Sequence, residues 1–95
     1  MSERTAYIDK VKARLDQWNA EIERMNAKMQ EAEADAKIEY KEQLDEMRAR
    51  RDEAEAKLKE LREASDDAWA DMKSGFDKAW DSISDAFENA ASRFR

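Results

Sequence analysis

EAEADAKIEY (31–40) is the stretch on which the architecture turns. It holds no Gly, Pro, Asn or Ser, so nothing in it marks a turn, and Ala, Glu and Lys all favour helix. The composition therefore predicts a helix running straight through it. The apolar pattern adds a complication. A repeat that would continue at Glu39 and Gln43 continues one place later, at Tyr40, Leu44 and Met47. A one-residue slip is either a local change of winding in a continuous helix or the mark of a turn. The alternative is thus a hairpin near Asp35, which would divide the chain into three nearly equal helices.

Toward the N-terminus, apolar residues keep a strict three–four alternation: Ile8, Val11, Leu15, Trp18, Ile22, Met25, Met29, Ala32 and Ala36. A 3.5-residue repeat keeps such side chains facing one partner as helices supercoil, so this is a coiled-coil seam. Ser2 or Thr5 can cap its start. Beyond the slip the seam runs through Arg51, Ala54, Leu58 and Leu61. Arg51 on a seam reads as a long side chain reaching out past the edge. The sharper alternative makes it a register device paired with an acid on a partner. Exposed faces carry Glu33/Lys37, Glu46/Arg50, Glu53/Lys57 and Glu55/Lys59, each pair worth about 0.2–0.5 kcal/mol to a helix.

The one clear break falls at REASDDAW (62–69), where Ser65 or Asp66 can cap a new helix with acids in its first turn. Past it the chain repeats every eleven residues: DDAWADMKSGF (66–76), DKAWDSISDAF (77–87), then ENAASRF (88–94). Eleven residues make three turns at about 3.67 per turn, so equivalent side chains stay on one face. Trp69, Met72, Phe76, Trp80, Ile83, Phe87 and Phe94 form a stripe that must be covered by a helix, by copies of itself or by lipid. Gly75 sits where the next repeat has Ala86, and reads as a small residue for close approach or as a soft point. The expected architecture is all-α, with a long coiled-coil helix over 1–64 and an amphipathic helix over 65–95.

The 95 residues are 44% charged, with one Gly, no Pro and a net charge of −6. That composition reads as long helix or coiled coil. Nucleic-acid binding is disfavoured, because Lys and Arg alternate with acids instead of forming a patch. Cys and His are absent, which removes thiolate and imidazole chemistry and their metal sites. A di-iron bundle would need Glu-x-x-His, and a lone glycine makes no phosphate loop. No cofactor, metal or catalytic residue is expected, and the chain does not read as an enzyme. MSERTAYIDKVK (1–12) shows no signal-peptide pattern and no apolar run reaches the roughly 20 residues of a membrane span, so a cytoplasmic location is expected.

LDQWNAEIERM (15–25), EYKEQLDEMRARRDEAEAKLKELREAS (39–65) and DAWADMKSGFDKAWDSISDAF (67–87) resemble a group of small bacterial coiled-coil proteins described as stress-response proteins. The resemblance implies a bacterial, helical, stress-linked protein with no catalytic residues to carry over. Separately, the eleven-residue period is similar to that of exchangeable apolipoproteins and desiccation-protective proteins.

Two function classes follow. The first is a structural or interaction protein, a homo-oligomer or higher assembly formed through the seams. A helix over 3–64 would be about 90 Å long. The shorter C-terminal helix would then leave Ile8 to Met25 uncovered unless copies associate. The second is a peripheral lipid binder using 66–94, although acids outnumber bases there and surface-seeking helices are usually basic. A helical protein partner fits the first class and a membrane surface the second.

Overall fold

The computed structural model describes residues 3–93 and folds them into three helices: α1 (Glu3–Glu31), α2 (Ala34–Arg62) and α3 (Trp69–Ser92). The all-α class is as expected, and of the two arrangements the chain adopts the three-helix one. The continuous helix expected over 3–64 is interrupted at Ala32 and Glu33, two residues short of Asp35. Residues 3–62 thus supply a helical hairpin on which α3 packs. Ser2 and Phe94, named as a cap and a stripe member, lie outside the described residues.

The turn escapes a reading for turn residues because it uses no left-handed conformation. Among the described residues none has a positive φ. Glu33 leaves the helix through ψ alone, with φ −69° and ψ 159°. The Ala32 N–H donates to the Met29 carbonyl at 3.1 Å, and the Lys37 N–H donates to the Glu33 carbonyl at 2.9 Å. Such a turn needs neither Gly nor Asn. What drives it is burial. Val11, Leu15, Trp18 and Ile22 of α1 are each 7% exposed or less, and covering four such side chains is worth about 6–12 kcal/mol. The few helical hydrogen bonds lost at the turn cost about 0.5–1.5 kcal/mol each. Burial wins.

The helices run up, down and up. Arg4 lies beside Arg62, and Asn19 beside Arg51, so α1 and α2 are antiparallel. Tyr7 meets Trp69 and Trp18 meets Phe87, so α3 runs parallel to α1. The bundle measures 52 × 21 × 17 Å. Leu44, Met47, Ala54, Leu58 and Leu61 bring α2 into the core, and Phe76, Ile83, Phe87 and Ala90 bring in α3. The slip at 36–40 is therefore where the seam of α1 ends and that of α2, in its own phase, begins.

The second connection, 63–68, keeps the expected break but shifts the helix start to Trp69. Ser65 caps a preliminary turn: its Oγ accepts the Ala68 N–H at 3.2 Å. Ala68 occupies the N-cap position of α3 with no side-chain cap of its own. Arg4 closes the other side of this connection. Its guanidinium donates to the Ala64 carbonyl at 2.5 Å and the Arg62 carbonyl at 3.0 Å. Carbonyls at the end of α2 that the helix leaves unpaired are thereby satisfied by a cation, which the helix dipole also favours.

Candidate interaction seam

α1 and α3 meet mainly through large side chains, their backbones staying further apart than either does from α2. The space between them holds a continuous run of six aromatic rings. Tyr7 is edge-on to Trp69 and to Phe76, with centroids 6.0 and 6.1 Å away. Phe76 lies 6.0 Å from Trp80. Trp18 is stacked between Trp80 at 4.8 Å and Phe87 at 4.2 Å, within 7° of parallel to both. The arrangement follows from sequence: on α1, Tyr7 and Trp18 are eleven residues apart, matching the period of Trp69/Trp80 and Phe76/Phe87 on α3. Parallel helices with the same period keep their rings in register along the whole contact.

Cations edge this run. Arg4 stands over Trp69 at 4.7 Å, Arg14 over Trp80 at 5.9 Å and Lys73 over Tyr7 at 4.6 Å, each placing positive charge on the electron-rich ring face. The Tyr7 hydroxyl donates to Asp77 Oδ1, and Lys73 Nζ reaches Asp77 Oδ2 at 3.3 Å. Burial first, then the hydrogen bond to Asp77 and the charges of Asp77 and Asp81, push the Tyr7 hydroxyl well above its usual value. Arg4 also pairs with Asp66 at 3.4 Å, but that carboxylate is fully exposed, so the pair adds little.

The interaction face expected from sequence is brought together almost entirely, inside one chain. Val11, Leu15, Trp18, Ile22, Leu58, Leu61, Phe76, Ile83 and Phe87 are buried, and Ile8, Met25, Trp69 and Trp80 pack against them half-buried. Met72 is the exception at 36% exposure, although Ile83, its equivalent one repeat on, is 3% exposed. Phase is the same but cover differs. Met72 borders an open groove between α2 and α3, beside Lys57 and Glu60. Gly75 shares that groove, and a Cβ there would meet nothing within 4 Å, so close approach does not explain this glycine. Tyr7 was missed, because it lies next to the seam position Ile8; its eleven-residue spacing from Trp18 was the available signal.

Arg51 does reach across the hairpin, but to an amide: its Nη1 donates to Asn19 Oδ1 at 2.9 Å, while Nε lies 2.9 Å from Asp52 Oδ1. Glu46–Arg50 forms as expected at 2.8 Å, and Arg50 also holds Glu53 at 2.8 Å. A groove of about 730 Å³ between α1 and α2 is open and lined by alternating charges that include Lys12, Asp16, Glu55 and Lys59. Among the described residues no charged or polar side chain is buried, and no three acidic groups converge as a metal site would require. No described helix is long and apolar enough to cross a membrane.

The geometry defines a class: an all-α three-helix bundle with an aromatic seam. No family model, curated protein or solved structure matches the chain.

Proposed function

We propose that this is a non-enzymatic structural and interaction protein that works through helix–helix contact and self-associates through its coiled-coil and amphipathic seams. What supports the helix–helix part of this reading is that the buried apolar side chains lie along helix–helix seams in a bundle 52 Å long. The self-association part is carried over from the seven- and eleven-residue repeats of the sequence. Because one chain covers these seams itself, a partner copy enters by replacing an internal helix contact with an equivalent one. A bacterial, stress-linked setting is the part of this reading that rests on the sequence resemblance.

A second reading, peripheral lipid binding, is favoured by one feature: α3 carries Trp69, Phe76, Trp80 and Phe87 on one stripe. To reach lipid, α3 would have to leave the hairpin and expose Trp18. Light scattering over a wide range of protein concentration, run beside co-sedimentation with anionic vesicles, separates the two. Self-association predicts a mass that rises with concentration in lipid-free buffer. A folded species that stays monomeric throughout, yet sediments with vesicles, would replace the first reading with the second.

A further inference from the structure

The Ala32–Glu33 turn has the properties of a hinge. Glu33 already has a helical φ of −69°, so of its two torsions only ψ, at 159°, has to return to the helical value near −42° when α1 and α2 join. Seven of the ten residues in 31–40 are Ala, Glu or Lys, all strong helix formers, and none is Gly or Pro. The apolar positions Met29, Ala32 and Ala36 pass to Tyr40 and Leu44 with a one-residue slip, which a continuous helix takes up as a local change of winding. A sequence whose only stable form was the hairpin would gain from a helix breaker here, and there is none.

We propose that two copies of this chain exchange α1 through this hinge, forming a symmetric dimer in which α1 of each copy packs on α2 and α3 of the other. This rests on the self-association reading above and gives it a mechanism. The contacts that α1 makes with α2 and α3 make the exchange feasible. Arg51–Asn19, the Trp80–Trp18–Phe87 stack, Tyr7–Asp77 and Arg4 on the Ala64 carbonyl each join groups from opposite sides of the hinge. Every one can be made equally well by the second copy. Closed monomer and exchanged dimer then differ only at the hinge and in the cost of association, which is the condition for low-cost domain swapping. In the dimer, 3–62 becomes one helix of about 90 Å.

A pair of cysteines tests this in the full chain, which has none of its own. Asn19→Cys and Arg51→Cys, joined by a short bismaleimide in the dimer fraction, should give covalent dimers on a denaturing gel, because residue 19 of one copy faces residue 51 of the other. Crosslinks confined within single chains in that fraction would overturn the exchange and leave self-association standing. No associated species at any concentration would overturn both. Ala34→Pro supplies the second arm. Proline suits the first position of α2, and Glu33 before it is already extended as proline requires. Inside a continuous helix the same residue is disruptive, so the dimerisation constant should fall at least about a hundredfold while the monomer keeps its helical signal. An unchanged dimer fraction in Ala34→Pro would overturn the hinge.

Discussion

Tyr7 and Gly75 show how much depends on surroundings that residue type alone does not reveal. Tyr7 reads as an ordinary half-exposed helix residue until Asp77 and Lys73 are placed around it. Its hydroxyl is held protonated in the fold, whereas in the unfolded chain it ionises near its usual value of 10.0. The stability it contributes is therefore fully present below about pH 10 and is lost as pH rises beyond that. Thermal melts between about pH 8 and pH 11 should fall more steeply for the parent than for Tyr7→Phe; parallel curves would contradict the assignment. Gly75 lies in a helix with open space where its side chain would be. Gly75→Ala should stabilise by about 0.5–1 kcal/mol, visible as a melting temperature higher by several degrees. Arg4→Ala removes a charged donor from two carbonyls and should cost about 1.5–3 kcal/mol, measured by urea unfolding.

α3 is the element whose period was most legible, because an eleven-residue repeat leaves equivalent side chains on one face wherever the helix packs. Trp69, Phe76, Trp80, Ile83 and Phe87 share that face, and in the structure they lie in the core or pack against it. Legibility failed at the ends of elements. Met72 has the right phase and no cover, which is a property of neighbouring helices that periodicity does not encode. The turn at Ala32–Glu33 was hidden for the same kind of reason: burial of Val11 to Ile22 drives it, and no local residue preference does. Replacing Phe76 and Phe87 with Ser keeps charge and helix length while removing about 4–6 kcal/mol of burial. Since small domains hold only about 5–15 kcal/mol in all, the lipid-free variant should melt far earlier, with tryptophan emission shifted to the red. Unchanged emission and stability would mean that the aromatic stripe does not hold α3 to the hairpin.

At the scale of the whole molecule, net charge of −6 sets how copies meet. Exposed ion pairs weaken with added salt, but repulsion between two acidic chains weakens too, and the apolar seams are indifferent to it. Association should therefore strengthen or stay level between low and moderate ionic strength. Sedimentation velocity showing dissociation over that range would mean that surface charge pairs, and not the seams, hold copies together. The Trp18–Trp80 stack carries a further consequence. Two indoles 4.8 Å apart and 6° from parallel are close enough for their electronic transitions to couple, which makes the α1–α3 boundary its own optical reporter. Near-ultraviolet circular dichroism should keep that coupled signature when α1 is traded between copies, since the pair re-forms across chains. It should vanish when α3 departs for a lipid surface. One spectrum, needing no label, thus tells a molecule that has changed partners from one that has come apart.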